Sequence, residues 1–428
     1  MDSWRSWAMA PEGWRVTSIK SLLESCSYGL NGRLATTPDS GPPVLRMGNI
    51  QAGRLALGDL KYASAQVDMT RYGLRRGDVL LNRTNSAEQV GKVAFVDNGD
   101  GLSFASYLVR LRVKDSSAAA EWLFQKLNSP EMQARLRSLA TKGVSQSNIN
   151  PTKMQALEVP VPPLAEQRKI AAILGSVDAL IERTQAVIDQ VEVVKKGLMQ
   201  ELLTRGPPGR HNRFKQTEIG EIPESWDVVP LDELVAKPIC YGVLKPGPDT
   251  PGGVPVVRVQ DYPEDKLILS QVQRSAPEIV EPYGRSTLAE GDILISIRGT
   301  AGRVCLVPGE LEGGNISRDS ARISLTRPEL LNFVAYVLRG PASQEFVMGA
   351  MRGLAVRGIN IGDLRKLPVP QPPPAEREEM TSILLTVDER LWSEKSSLSS
   401  LVRLKAGLSA VLLSGEVRVQ TDESEAAA

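Results

Sequence analysis

One histidine, His211, and three cysteines, Cys26, Cys240 and Cys305, are all that this 428-residue sequence has of the residues that most often activate nucleophiles or ligate metals. A single histidine in a Gly-Pro-rich stretch excludes Ser-His and Cys-His nucleophile systems and His-based metal sites. The cysteines are odd in number, far apart and without metal-ligand spacing, so they read as free thiols. No G-x-x-x-x-G-K-[ST] phosphate loop is present and no G-x-G-x-x-G follows a strand, which places nucleotide-driven motor work elsewhere. The Asp-Pro-Pro-Tyr or Asn-Pro-Pro-Phe type of motif of adenine methyltransferases is missing as well. Asp261 with Glu264-Asp265-Lys266 has the residue types of a metal nuclease centre, but the acids lie too close in sequence for strand-to-strand geometry and read as a solvated turn. No apolar run approaches the length of a membrane span, and Met1 to Met9 lacks a signal peptide's continuous apolar segment, so a cytoplasmic location is expected. With 42% hydrophobic and 24% charged residues the chain is of ordinary globular composition. Its net charge is only +1, whereas dedicated nucleic-acid binders are often strongly basic. Any DNA contact must then come from local patches or be shared with more basic partners.

What the chain does have is said twice. Pro11-Glu12-Gly13-Trp14-Arg15-Val16 recurs as Pro223-Glu224-Ser225-Trp226-Asp227-Val228, an offset of 212. Val44-Leu45-Arg46-Met47 recurs as Val256-Val257-Arg258-Val259, and Gly77-Asp78-Val79-Leu80-Leu81 as Gly291-Asp292-Ile293-Leu294-Ile295. Ile149-Asn150 returns as Ile359-Asn360, and Val159-Pro160 through Pro163 and Glu166 return as Val369-Pro370 through Pro373 and Glu376, at 210. A period this long means two similar domains rather than a solenoid, and a duplicated chain suits a target that itself has two halves.

Each copy begins as a mixed region in which short β-type runs, such as Val93-Ala94-Phe95-Val96 and Val304-Cys305-Leu306-Val307, alternate with Gly, Asn, Asp and Pro. One helix is expected in each, around Ala118 to Leu139 and Pro328 to Met351, giving an α+β class. Pro160-Val161-Pro162-Pro163 and Pro368 to Pro374 end the mixed regions with stiff, extended backbone. The period then changes. Ile170, Leu174, Val177, Ile181, Thr184, Ile188, Val191, Lys195, Leu198 and Leu202 form a heptad seam, and Met380, Leu384, Val387, Leu391, Glu394, Leu398, Leu401, Lys405, Leu408 and Leu412 repeat it. Each helix of some forty residues is roughly 60 Å long, longer than a domain core needs. The two are expected to pair with each other as an antiparallel coiled coil about an internal pseudo-twofold axis. In that symmetry Lys195 opposite Glu394 places Thr184 opposite Lys405; the alternative is that Lys195 snorkels to water beside Val194. The division expected is 1–163 and 219–373 for the mixed regions, 164–206 and 374–416 for the helices, 207–218 for a Gly-Pro linker and 417–428 for a frayed tail.

Reading a DNA sequence needs paired donors and acceptors on something that enters a groove, and phosphate contacts need Lys, Arg, Ser or Thr. The polar loop before the Pro exit carries Lys142, Ser145, Gln146 and Asn148 in the first copy and Arg352, Arg357 and Asn360 in the second. After the Gly-Asp strand come Arg83, Asn85 and Lys92, matched by Arg298 and Arg303. Arg46 with Asn49, and Arg258 with Gln260, make a third and weaker pair. For any one of these a hydrogen-bonded loop or surface charge is the plainer reading; as a group at matched positions they point to DNA.

The run Val159-Pro160-Val161-Pro162-Pro163-Leu164-Ala165-Glu166-Gln167-Arg168-Lys169-Ile170, continuing to Gly197-Leu198-Met199-Gln200-Glu201-Leu202-Leu203-Thr204, resembles the DNA specificity subunits of type I restriction-modification systems. The duplication, the Gly-Asp-Ile-Leu strand and the Ile219 to Trp226 segment resemble the same family, over about Pro11 to Val419. The second copy departs at Arg377, Glu378 and Glu379, where the first has Gln167, Arg168 and Lys169. The resemblance implies two target recognition domains, 1–163 and 219–373, separated by paired helices that act as a ruler and dock two methyltransferase subunits. Those partners would use S-adenosylmethionine to methylate adenine in double-stranded DNA; motor-nuclease subunits would bring ATP and Mg2+. This chain would be non-catalytic, with half-site centres roughly 34–36 Å apart or a little more. The competing classes are a coiled-coil protein-interaction scaffold and a self-sufficient nuclease or methyltransferase.

Overall fold

The computed structural model describes residues 10–38, 41–143, 146–263, 266–353 and 357–421. Contacts divide the chain into two units, Met1–Gln185 with Ser396–Ala428, and Ala186–Lys395. Each unit holds one mixed region, a segment of the first long helix, Leu164–Arg205, and a segment of the second, Pro374–Ser414.

The core of the first unit is a four-stranded antiparallel sheet in the order Leu23–Tyr28, Leu108–Val113, Val79–Asn82, Val93–Phe95. Val79, Leu80 and Leu81 are wholly buried on both faces, which is why that strand reads as an unbroken apolar run. The second unit repeats the order with Val235–Tyr241, Ser320–Leu325, Ile293–Ser296 and Val304–Leu306. The Gly-Asp pair before each central strand is a turn device. Gly77 and Gly291 have φ of +89° and +80°, and the buried Asp78 and Asp292 accept backbone N–H groups of Arg75 and Ala289, both at 2.9 Å.

The proline-rich exits are strands. Glu158–Val161 pairs antiparallel with Arg15–Ser18, and Pro368–Gln371 with Asp227–Pro230, so each mixed region is closed by its own two ends. Two-stranded pairing tolerates a residue without an N–H. The single helix expected after each sheet is two helices: Ala120–Asn128 then Pro130–Ser138, and Leu331–Arg339 then Pro341–Ala350. Pro130 and Pro341 force the break, because each bars the residue before it from helical backbone and then starts a new first turn.

The long helices pair antiparallel inside each unit. Ile170 and Leu174 are buried with Leu412 in the first, and Met199 and Leu202 with Met380 and Leu384 in the second. The polar register differs from expectation. Lys195 meets Asp388 at 2.6 Å, not Glu394, and Lys405 meets Asp178 at 2.6 Å, not Thr184. Both pairs slide by the same six residues, so the expected reciprocity holds while the partners change. The cause is prior anchoring: Gln125 Nε2 donates to Asp178 and the Tyr336 hydroxyl to Asp388, each at 2.7 Å. These half-buried carboxylates are fixed in place, whereas Glu394 is engaged by Arg390 one turn earlier at 2.6 Å. Burial, reinforced by Asp388, pushes the Tyr336 phenol up, so it stays a donor.

A second device closes each unit where a long helix starts. Trp14 Nε1 donates to Glu166 at 3.0 Å, and Arg418, just beyond the second helix, grips the same carboxylate with two bonds of 2.8 Å. Burial works against the Glu166 charge, but the bonds from Arg418, Trp14 and the Val419 amide overcome it and hold this carboxyl below its ordinary range. In the second unit Trp226 donates to Glu376 at 3.3 Å, and His211, just beyond the first helix, lies 2.5 Å from it. Gly206 and Gly415 end the helices with φ of +75° and +78°, the left-handed stop that glycine favours. A Cβ on Gly206 would collide with Glu376, and one on Gly415 with Pro11.

Cys26, Cys240 and Cys305 are free thiols. By length and composition alone Pro374–Ser414 has one 18-residue window of mean hydropathy 1.2. Lys405, paired with Asp178, lies among its apolar residues.

Candidate nucleic-acid interface

Beside the core sheet, segments distant in sequence meet in each mixed region, as a small three-stranded sheet in the first unit and as two isolated bridges in the second. In the first unit Asn148 pairs with Thr84 on one side and Thr141 on the other. Arg83 leaves the central strand here. Its guanidinium donates to Asn148 Oδ1 at 2.9 Å and to the Ser106 carbonyl at 3.4 Å, and lies 5.1 Å from the Tyr28 ring centroid. Arg83 and Asn148 are thus brought together, with Lys142 and Gln146 exposed at the adjoining turn, which the Gly143 amide closes onto the Gln146 carbonyl at 2.8 Å. Ser145 lies outside the described residues. Asn85 caps its own turn by accepting the Ser86 amide at 2.8 Å. The exposed Tyr28, whose ring lies against Arg83, and Tyr107, whose carbonyl accepts the Arg83 amide at 3.0 Å, were missed from sequence.

In the second unit Gly358 takes the place of Asn148, bridged to Arg298 and to Arg352. These arginines, with Arg318, Asp319 and Asn360, line an open cavity of about 350 Å³. Arg357 is exposed beside them, its carbonyl accepting the Gly299 amide at 3.2 Å. Arg318 was not foreseen, although aligning Ala105-Ser106-Tyr107 with Ser317-Arg318-Asp319 would have shown a charge gained at a matched position.

Other expected contact residues are committed elsewhere. Asn49 is buried, accepting the Arg46 amide at 2.8 Å and donating to the Ala56 carbonyl at 2.8 Å, while Arg46 pairs with Asp59 at 2.8 Å. The second unit builds the same box with a carboxylate: Asp261 accepts the Arg258 amide at 2.8 Å and its guanidinium at 3.0 Å, and Gln273 holds Arg258 from the other side at 2.7 Å. A short turn after an apolar strand must satisfy its own N–H groups, and these side chains do that. Gln260 is exposed within the turn. Asp261 is therefore buried and paired rather than solvated; Glu264 and Asp265 lie outside the described residues. Lys92 lines a different cavity, of about 520 Å³, with Phe95, Phe124, Gly175 and Asp178. Arg303 is half-buried, its amide bonded to Ser296 Oγ at 2.9 Å. Asn360 caps the short helix Ile361–Leu364 by accepting the Asp363 amide at 2.8 Å. Among the described residues no group of three His, Cys, Asp or Glu side chains is arranged to hold a metal.

Residues 11–193 and 223–401 each match the type I restriction modification DNA specificity domain. A putative type I restriction enzyme MjaX specificity subunit of Methanocaldococcus jannaschii is 29% identical over 418 residues, 96% of this chain and 95% of its own length. The type I restriction enzyme EcoBI specificity subunit of Escherichia coli is 29% identical over 253 residues, 56% of this chain and 53% of its own length. In fold, the chain is similar to the S subunit of a type I restriction-modification system from M. genitalium, with a TM-score of 0.58 at 15% identity, over 93% of this chain and 96% of that one.

Proposed function

The chain belongs to the type I restriction modification DNA specificity family, and from that premise we propose that it reads a bipartite site in double-stranded DNA for a complex whose other subunits do the covalent work. It is a specificity subunit, non-catalytic in itself. The observation that carries the reading is the matched pairing, with Asn148 between Thr84 and Thr141 in one copy and Gly358 between Arg298 and Arg352 in the other. One scaffold with two sets of side chains suits two different half-sites. On this reading 1–163 and 219–373 are the recognition domains, and Lys142, Gln146, Asn148, Arg83, Arg298, Arg352 and Arg357 are the residues offered to DNA.

The long helices dock two methyltransferase subunits, and motor-nuclease subunits join that assembly. Bare apolar side chains support this use. Val193 is 73% and Trp392 62% exposed, and Leu180, Val402 and Leu404 are about half exposed, more than a helix facing only water needs. S-adenosylmethionine, ATP and Mg2+ belong to those partners.

Mapping methylated adenines in host DNA, with and without this gene, tests the whole proposal. Replacing residues 1–163 with the corresponding part of a relative should change one half-site and leave the other. Inserting four residues into one long helix should lengthen the spacer while both half-sites stay. Methyl transfer to DNA by the purified chain alone, or altered half-site letters with an unchanged spacer after the insertion, would refute it.

A further inference from the structure

Resting on the reading that each domain reads one half-site, we infer that the cavity bounded by Arg298, Arg318 and Arg352 takes the major-groove edge of a G·C base pair, which makes Arg318 a specificity-determining residue for the second half-site. Gly358 lies between Arg298 and Arg352, joined to each by an isolated antiparallel bridge. Directly opposed residues of antiparallel strands project to the same face, so two guanidinium stems flank a position without a side chain. That lack is needed: a Cβ on Gly358 would meet the Ile297 carbonyl oxygen at 2.6 Å and Arg298 Cγ at 3.0 Å. Arg318, exposed, completes the rim. Among the described residues Arg298 makes no side-chain hydrogen bond or ion pair.

Guanine presents two acceptors, O6 and N7, that match the fork of a guanidinium, and its cytosine presents an amino donor suited to a carboxylate. Asp319 supplies such a carboxylate 3.7 Å from Arg318 Nε. A phosphate clamp is a poorer match, because Asp319, and Asp363 at 3.9 Å from Arg352, both repel an anion. The first domain is built differently at every matched position. Its ladder carries Thr84, Asn148 and Thr141, and Ser106 stands where Arg318 does, their amides donating to Leu30 and Val243 respectively.

The test is selection by the full chain, assembled with its methyltransferase partners, from duplexes with a randomised core, followed by sequencing of the bound pool. The wild type should enrich a two-part sequence with a guanine in one part. Arg318→Ser should abolish that preference, weaken binding to the wild-type site by roughly tenfold to a hundredfold and leave the other part unchanged. Arg318→Lys, which keeps the charge and loses the fork, should lose the same letter with little change in salt dependence. Retention of the letter in both variants overturns the assignment, and so does uniform weakening across all sequences with a shallower salt dependence, the mark of a phosphate contact. A wild-type pool with no two-part sequence overturns the underlying reading of the chain instead.

Discussion

The two units attach their recognition domains to the long helices at the same positions with different chemistry. Arg54 of the first domain forms an ion pair with Glu182 at 2.9 Å, whereas Lys266, its counterpart, lies 5.9 Å from the ring centroid of Trp392, the counterpart of Glu182. Gln125 and Tyr336 hold matched aspartates, and Arg418 and His211 hold matched glutamates. Lys126 is fully buried and donates to the Leu413 carbonyl at 2.9 Å, in the last turn of the second long helix; the same position in the other unit is the apolar Val337. What duplication has kept is therefore the set of attachment points. A scaffold that must present two readers needs its joints in register, and any pair of groups that fills a joint serves.

The most severe way to break this comparison is to empty one joint. Trp226 is wholly buried, and Trp226→Ala should cost about 3–5 kcal/mol, confined to the second unit. Calorimetry of the full chain should show one transition falling while the other holds, and Trp14→Ala should do the reverse. Equal movement of both transitions in either variant would show that the joints are not local.

Lys126 gives the next largest effect, seen through pH. Burial pushes its ammonium down to about 8. Between pH 8 and its ordinary value near 10.4 the unfolded chain binds a proton that the folded chain does not, so stability of the first unit should rise with pH across that window, on the order of 3 kcal/mol in all. Lys126→Met should flatten the rise in urea titrations. The second unit, with Val337, should show no matching slope, and a slope of equal size in both would rule out Lys126 as its source.

The coiled-coil register can be sharpened by charge exchange. Asp178→Ala and Asp388→Ala should each cost about 1–3 kcal/mol, since each strands partly buried donors. Lys195→Glu should be destabilising and should be rescued by Asp388→Lys, not by Glu394→Lys. Rescue by Glu394 would restore the register expected from the heptads alone.

That difference also marks how far the sequence could be read. The seam itself was legible, because Ile170, Leu174 and Val177 repeat at a local spacing that only a helical partner satisfies. So were the Gly-Asp strands and the duplication. The register was not, because Asp178 and Asp388 sit one position off the seam and are anchored by Gln125 and Tyr336, more than fifty residues away. Among the candidate DNA residues, the fold brings Arg83 to Asn148, and Arg298 and Arg352 to either side of Gly358. Asn49 and Arg258 are engaged in closing their own turns, since the side chains suited to base edges are also those that close turns and cap helices, and composition cannot separate the two uses. Arg318 depended on which loops the fold brings side by side.

The smallest expected change in stability is at Trp392. Trp392→Glu gives the second helix the residue that the first has at Glu182 and converts the contact with Lys266 into an ion pair. Both contacts are solvent-exposed and of similar, small strength, so the melting transition should move by less than about 1 kcal/mol. Partner docking should respond otherwise. An indole 62% exposed on a helix is the kind of side chain that dominates an interface once it is covered. Its loss should weaken assembly with the methyltransferase subunits at least tenfold in sedimentation or pull-down titrations with unchanged fold. Unaltered assembly would leave Trp392 as no more than a platform for Lys266, and the docking surface would then have to lie on the other bare positions, Leu180, Val193, Val402 and Leu404.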